Sequence, residues 1–151
     1  MTLNRSRLLT IEAAALLPIA RFMVDFVSLK YWRSSLGAIV SKSLLADAVM
    51  VSPAAGEYSR TLARHVERGA AKLPFHTKCL PRAVTLQWML GRRGISAFLV
   101  IAVQKGGDGS SDYYHAWVET SGEVLIGHCD RSLYNPLMVI SNAPVAPAGK
   151  R

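Results

Sequence analysis

Residues 73–94 read LPFHTKCLPRAVTLQWMLGRRG and combine one cysteine, two prolines and the pattern of an amphipathic helix. The apolar residues recur at helical spacing, on a face that holds Ala83, Leu86, Met89 and Leu90. Pro81 suits the first turn of a helix, where its missing N–H is no loss, and Gly94 suits the position just past the end. The stretch therefore predicts a helix that begins at about Cys79 and ends before Gly94.

Cys79 lies in a chemically favourable place if this helix forms. The free N–H groups and the dipole at a helix N-terminus favour an anion such as a thiolate, and the thiolate is the nucleophilic form of cysteine. Lys78 and Arg82 add positive charge close by. The plain alternative is that Cys79 packs as a small hydrophobic side chain, as free cysteines commonly do.

A second stretch favours the chemical interpretation. Residues 113–130 read YYHAWVETSGEVLIGHCD, two alternating runs around a Ser-Gly turn, which is typical of a β-hairpin. His115 would lie on the first strand of this hairpin. A cysteine that opens a helix and a histidine on a later strand form the pair that cysteine nucleophiles need, because the imidazole takes the thiol proton and later protonates the leaving amine. The sequence therefore predicts Cys79 as nucleophile and His115 as base.

A third group should orient the His115 ring from the neighbouring strand. With a two-residue turn at Ser121 and Gly122, His115 faces His128, and Asp130 is the diagonal neighbour on the same face. We predict that Asp130 is this third member, because a carboxylate fixes the tautomer and stabilises imidazolium, and His128 is the alternative. Glu119 shares this face but lies too far along the strand, so a structural role paired with an arginine is expected for it.

The motifs CLPRA, RRGI and HAWVE, in this order, together with the N-terminal run EAAALLPIARFMVDF, resemble the transglutaminase-like B2 proteins of lasso-peptide biosynthesis. The resemblance covers roughly residues 8–137. It implies a papain-like, transglutaminase-like α+β fold, with N-terminal helices packed on an antiparallel sheet. It also implies a cysteine peptidase that removes the leader from a ribosomally made precursor, with Cys79 and His115 in the catalytic roles.

Two positions depart from what the resemblance implies. An acidic residue is expected about a dozen positions after the histidine, where this chain has Gly127 and His128. The backbone N–H of Cys79 is the natural first oxyanion donor. The papain plan supplies a glutamine upstream as the second donor, and residues 75–78 include none.

The resemblance also implies partners. These are the leader region of the precursor peptide, a separate leader-recognition protein and the lasso cyclase. Two alternative functions stay open: a transglutaminase-like acyltransferase, and a non-catalytic scaffold of the same fold.

Composition narrows the classes of protein. The 151 residues suit one domain, and we predict that it spans residues 1–140, with a helical part over about 1–71 and a disordered tail over 141–151. Half the residues are hydrophobic and mean hydropathy is +0.21, which suggests apolar surface reserved for a partner. The net charge of +8 favours acidic partners, but the basic residues are scattered along the sequence and no groove-reading motif is present, which disfavours nucleic acid.

Two cysteines and the lack of a recognisable signal sequence predict a cytoplasmic protein. Residues 9–29 are apolar enough to approach a membrane span, but three charges and Pro18 interrupt them, so a kinked or broken helix packed on the domain is expected and membrane association is disfavoured.

Residues 44–51 and 58–71 are predicted helices, 97–103 a buried strand and 137–140 a short last strand. His65 is predicted at the surface. The spacing of His115, His128, Cys129 and Asp130 matches no closed zinc site, and no cofactor is expected.

Overall fold

The computed structural model describes residues 4–45, 50–108 and 113–143. Its helices are α1 (Arg5–Phe26), α2 (Leu29–Trp32), α3 (Pro53–Lys72) and α4 (Cys79–Arg92). Its strands are β1 (Ala38–Val40), β2 (Phe98–Gln104), β3 (Tyr114–Thr120), β4 (Glu123–Ile126) and β5 (Tyr134–Ser141). Short 3₁₀ helices cover Arg33–Ser35, Lys42–Leu45 and Arg131–Leu133.

The strands form one antiparallel sheet in the order β1-β5-β2-β3-β4. Helices α1, α3 and α4 contact one another, and α4 also packs on β2 and β3. The predicted α+β class, with N-terminal helices on an antiparallel sheet, is confirmed.

Strand alternation builds a core on each face of the sheet, because successive side chains point to opposite sides. The face toward the helices buries Leu99, Val118 and Ile140 together with helical residues such as Leu17, Leu62 and Leu86. The opposite face carries a smaller cluster with Phe98, Val100, Trp117 and Val139, against which Tyr134 packs. Trp117 and His115, two residues apart on β3, therefore lie on the face of the smaller cluster.

Helix α1 is a single helix from Arg5 to Phe26 with Pro18 inside it, where a kink or break was expected. Its buried stripe packs on the domain and comprises Leu9, Thr10, Ala13, Leu17 and Ala20. Within the described residues, no helix is both long and apolar enough to cross a membrane.

The segment over residues 52–56, between the two predicted helices, contains the start of α3. The Ser52 side chain accepts a hydrogen bond from the Ala55 N–H at 3.2 Å, and Pro53 occupies the first turn. A serine cap followed by proline is a favoured helix opening, so the predicted helix over 58–71 begins about one turn earlier. The predicted helix over 44–51 is wrong at its ends, since Leu44 and Leu45 are in a 3₁₀ helix and Val51 is not helical; residues 46–49 lie outside the described residues.

The C-terminal strand is longer than the sequence suggested. Strand β5 runs to Ser141, and the Asn142 amide then bridges the loop before β2: its Oδ1 accepts from the Ala97 N–H at 2.7 Å and its Nδ2 donates to the Ile95 carbonyl at 2.9 Å. The predicted short last strand over 137–140 is therefore extended at both ends, to Tyr134 and Ser141. The predicted disordered tail lies, from residue 144 on, outside the described residues.

Candidate active site

Cys79 is the first residue of α4, as predicted. Lys78 before it is extended and caps the helix without a side-chain hydrogen bond. The first N–H groups of a helix have no intrahelical partner, so those of Cys79 and Leu80 point out of the N-terminus beside the thiol. Pro81 follows them in the first turn and has no N–H to offer. Two backbone donors therefore lie where an anion next to the Cys79 sulfur could be bound.

The loop that enters α4 is fixed by a small polar network. The Arg82 guanidinium donates from Nε to the buried Thr77 hydroxyl at 3.0 Å, and from Nη1 to Glu67 Oε2 on α3 at 2.8 Å. Thr77 and Arg82 flank Cys79 on either side in the sequence. The network thereby holds the thiol-bearing turn against α3.

Gln87, two turns further along α4, anchors the helix to the rest of the core. Its buried Nε2 lies within 3.2–3.4 Å of three carbonyl oxygens, those of Leu36, Ala97 and Ile140. A buried amide that reaches the loop before β1, the loop before β2 and strand β5 sets the position of α4 over the sheet. The position of Cys79 follows from that of its helix.

His115 is the second residue of β3, also as predicted. Its Nε2 lies 2.8 Å from the carbonyl oxygen of Gly127. A carbonyl only accepts, so Nε2 carries the proton in this contact and Nδ1 is left as the basic nitrogen. The ring also packs near Tyr134 and Trp117, with centroid distances of 5.4 and 6.2 Å. The imidazole is therefore held in one orientation and one tautomer.

Gly127 can hold this position because it is glycine. Its φ is +77°, and a Cβ placed on it would lie 2.3 Å from the Ala116 carbonyl oxygen and 3.1 Å from Trp117 Cα. No side chain fits at that distance from a backbone atom. The close approach of the two chain segments is what brings the Gly127 carbonyl to His115.

The prediction that Asp130 orients His115 is wrong. The Asp130 carboxylate instead accepts hydrogen bonds from the Ser132 hydroxyl at 2.6 Å and from the Ser132 N–H at 3.0 Å, and these bonds lower the pKa of Asp130 below its usual value. His128, the alternative, is exposed and lines a groove beside α3.

The physical reason is a shift in the hairpin register. Ser121 and Gly122 form the expected turn, both with positive φ, and Thr120 pairs with Glu123. The pairing then slips by one residue between Val118 and Glu119, and β4 ends at Ile126. A slip of one residue moves side chains to the opposite face, and a backbone carbonyl meets the histidine instead.

Cys79 and His115 line the same cleft. One part of it has a volume of about 520 Å³ and is bordered by apolar side chains of α1, α4, β2 and β3, including Val24, Leu80 and Ile101. A second part of about 250 Å³ adds Glu67, Thr77, Arg82 and Gly127. His76 and Lys78 border both parts of the cleft. Within the described residues no hydrogen bond joins Cys79 to His115, and catalytic contacts commonly tighten only when substrate binds.

Cys129 lies in the loop after β4 and is half-buried. Burial raises the pKa of Cys129, the nearby Arg131 guanidinium lowers it, and the Asp130 carboxylate and the Cys79 thiol raise it further. The net effect keeps Cys129 in the protonated, poorly nucleophilic form. Both cysteines are free thiols, and the surroundings of Cys129 disfavour its thiolate form.

Glu119 has the structural role that the sequence predicted. Its buried carboxylate accepts a hydrogen bond from Trp117 Nε1 at 2.8 Å and pairs with the Arg131 guanidinium at 3.2 Å. In the part of the chain that the structure describes, no three His, Cys, Asp or Glu side chains gather as a metal site would require.

Sequence reasoning missed the Gly127 carbonyl and the Thr77–Arg82–Glu67 network. A backbone carbonyl carries no side-chain signature. The only signal was a glycine inside a strand pattern, which often marks a bulge or a close backbone approach. The network joins residues from two helices, and no local spacing reveals it.

A free cysteine at a helix N-terminus and a histidine on the adjoining antiparallel sheet define the class of cysteine–histidine α+β domains. The chain belongs to the transglutaminase-like superfamily, whose profile it matches over residues 23–139. No curated protein sequence and no solved structure matches it.

Proposed function

We propose that the protein is a cysteine peptidase that removes the leader from a ribosomally made lasso-peptide precursor. The observation that carries the proposal is the shared cleft, with Cys79 at the start of α4 and a His115 ring whose Nε2 is fixed by the Gly127 carbonyl. That hydrogen bond leaves Nδ1 as the atom able to take a proton. The motifs that resemble the B2 proteins of lasso-peptide biosynthesis supply the substrate class.

In the proposed reaction the Cys79 sulfur attacks the carbonyl carbon of the scissile bond, and its proton passes to His115 Nδ1. The tetrahedral oxyanion is stabilised by the N–H groups of Cys79 and Leu80 at the helix start. The C–N bond then breaks, His115 gives its proton to the leaving amine, and a thioester remains on Cys79. Water attacks the thioester while His115 takes the water proton; the leader leaves as a carboxylic acid and the thiol is restored.

The partners belong to the same proposal. Helix α1 exposes large apolar side chains along one face, namely Leu8, Ile11, Ile19, Phe22 and Phe26. Arg21, Val24 and Asp25, from the same end of α1 as Phe22 and Phe26, line the cleft with Cys79. A separate leader-recognition protein bound on this exposed face would present the precursor at the thiol, and a cyclase would close the released core.

Mass spectrometry of the precursor, incubated with the protein and the recognition protein, tests the proposal. We expect Cys79→Ala and Cys79→Ser to lose cleavage by about 10³-fold or more, and His115→Ala to lose a comparable amount, because nucleophile and base act as one unit. Cys129→Ala is the matched control and should cleave like the wild type.

Full cleavage by Cys79→Ala would rule out the cysteine-peptidase mechanism. Transfer of the acyl group to an added amine, with little hydrolysis in its absence, would support the transglutaminase-like acyltransferase instead. If none of the Cys79 and His115 variants loses function in the pathway, and each still binds the precursor, a non-catalytic scaffold is supported.

A further inference from the structure

Helix α3 carries a row of cations that turns gradually around the helix, because four residues are slightly more than one helical turn. Arg60, Arg64, Arg68 and Lys72 are spaced by four residues each, and residues four apart lie one above the other on a helix surface. We call this row the α3 ridge; over twelve residues it is about 18 Å long. Basic residues that look scattered in the sequence are thus aligned by the fold.

The charge of the ridge is mostly uncompensated. Arg60 pairs with Glu123 at 3.1 Å. Of the ion pairs found among residues 4–45, 50–108 and 113–143, none involves the other three ridge residues. Like charges at a spacing of four residues repel and weaken a helix. Together with burial, the charges of Arg68 and Arg64 also lower the pKa of His65 inside the helix pair.

Two concave surfaces flank the ridge. A groove of about 580 Å³ lies between α3 and β4, and Arg60, Arg64 and Arg68 line it on the helix side. Val124, Leu125 and Glu123 line the strand side, where the Glu123 carboxylate is paired with Arg60. On the other flank, a cavity of about 460 Å³ between α1 and α3 is lined by Arg7, Arg68 and Lys72, with no acidic side chain. An elongated anionic ligand would meet cations along the length of α3.

The groove continues toward the thiol. Glu67 lines the groove beside the ridge, and it also lines the part of the cleft that holds Cys79 and His115. Glu67 itself is neutralised by Arg82 at 2.8 Å. One chain lying on this surface could therefore touch the ridge at one end and the nucleophile at the other.

We propose that the α3 ridge binds an acidic segment of the peptide substrate while another part of the same peptide lies at Cys79. This inference rests on the proposed function and adds a substrate class to it. An extended peptide rises about 3.3 Å per residue, so five or six residues span the ridge. A single-stranded nucleic acid is disfavoured because, among the described residues that line the groove, His128 is the only aromatic ring, and successive bases need several rings on which to stack. The concave groove that joins the cleft favours a peptide over a flat lipid surface.

Binding is measured on the Cys79→Ala protein by fluorescence anisotropy, so that turnover plays no part. The probes are two labelled ten-residue peptides, one with four glutamates at alternate positions and one with glutamine in their place. We expect the glutamate peptide to bind about tenfold or more tightly than the glutamine peptide, and the difference to shrink as salt rises. The variant Arg64→Glu/Arg68→Glu should lose this difference.

The matched control is Arg33→Glu/Lys42→Glu, which changes the net charge equally at exposed positions on two 3₁₀ helices. It should keep the preference for glutamate. If the charge reversal on α3 unfolds the protein by circular dichroism, Arg64→Gln/Arg68→Gln takes its place with the same expectation.

Equal affinity for the two peptides, or an equal loss in the control, would overturn the proposal. A 12-base-pair DNA duplex or phosphatidylglycerol vesicles that bound more tightly than the glutamate peptide, and lost binding in the α3 variant, would overturn the choice of a peptide. Because no cleavage is involved, these results are independent of the leader-peptidase proposal. Conversely, cleavage of an acidic substrate by the α3 variant with unchanged KM would count against the ridge alone.

Discussion

At the level of single residues, the hydrogen bond from His115 to the Gly127 carbonyl is the most informative contact. Gly127 lies about a dozen positions after the histidine, where the resemblance implies an acidic residue. A neutral carbonyl fixes the tautomer as a carboxylate would, but it offers less charge to stabilise the imidazolium that forms during catalysis. We expect the orientation of His115 to depend on the backbone at Gly127 and on no side chain from the loop after β4.

Gly127→Ala tests this dependence. The added Cβ would meet the Ala116 carbonyl, so the segment must shift and the His115 bond must lengthen or break. We expect kcat to fall about 10- to 100-fold with KM little changed, because a hydrogen bond to a charged group is worth about 1.5–3 kcal/mol. Steady-state cleavage of a labelled precursor gives both constants.

The control is Gly106→Ala, because Gly106 has the same φ of +77° with nothing within 4 Å of the new Cβ. It carries the backbone strain without the clash and should stay near wild-type activity. Asp130→Asn should also stay near wild type. If the Gly127→Ala variant is as active as Gly106→Ala, or if Asp130→Asn loses about 10- to 100-fold in kcat, a backbone group does not orient His115.

Sequence alone was sufficient to predict the positions of Cys79 and His115 but not the group behind the histidine. The helix start has a local signature, which is proline in the first turn after an extended residue, and the strand has its alternation. The one-residue slip between Val118 and Glu119 has no such local signature in the sequence. The sequence predicted a side-chain partner for His115, whereas the structure gives it the main-chain carbonyl of Gly127.

At the level of elements, the α1–α3 pair is joined by a buried polar contact. His65 Nδ1 and the Thr10 hydroxyl are 2.8 Å apart, and His65 is 4 % exposed. The prediction of a surface histidine was wrong. Its charged neighbours in sequence point outward, whereas His65 shares the buried face of α3 with Leu62 and Gly69.

This contact predicts acid sensitivity. Burial, with the charges of Arg68 and Arg64, lowers the pKa of His65 below its usual 6.5. The unfolded chain then binds the proton more tightly than the folded protein, so stability is fully present above about pH 6.5 and falls as pH drops toward the folded pKa. Urea unfolding at pH 7.5 and pH 5.5 should show a lower midpoint at pH 5.5.

The variant His65→Gln should remove much of this pH dependence at some cost in stability at pH 7.5. The variant His128→Gln changes an exposed histidine and should leave the pH dependence as in the wild type. An identical slope in the wild type and in His65→Gln would show that other groups govern the acid sensitivity.

At the level of the whole molecule, α1 carries five of the twelve exposed large hydrophobic side chains among the described residues. Phe22 and Phe26 are 57 % and 75 % exposed, and their rings contact each other at a centroid distance of 5.2 Å. Arg21, beside them, stacks over Phe75 of the loop that leads to the nucleophile. A partner bound on this face would sit next to the cleft.

Phe22→Ser/Phe26→Ser tests this arrangement. We expect the double variant to cleave the precursor about tenfold or more slowly at limiting recognition protein. The reason is that the apolar contact between α1 and the recognition protein is lost. The rate at which iodoacetamide labels Cys79 should not change, since the cleft itself is intact. Leu137→Ser, at an exposed apolar position on β5, is the control. Equal slowing by both variants, or a changed labelling rate, would contradict a docking role for α1.

The sequence was sufficient to predict the long elements of the fold, but not its shortest strand or the residue at which α3 begins. Long periodic segments such as α1, α4 and β2 have strong local patterns, and they were predicted. Strand β1 has three residues and pairs only with β5, so its existence depends on tertiary contacts. The start of α3 was missed because a serine–proline pair can either end a helix or begin one.

In the proposed reaction Cys79 forms a covalent acyl-enzyme with the leader. Intact-protein mass spectrometry after acid quench of the precursor reaction measures this directly. We expect a protein species heavier by the mass of the leader less one water, with the adduct on Cys79 by peptide mapping. It should be present in Cys129→Ala and absent in Cys79→Ala. Cleavage that proceeds with no adduct on Cys79 at any quench time, and that survives in Cys79→Ala, would contradict the account.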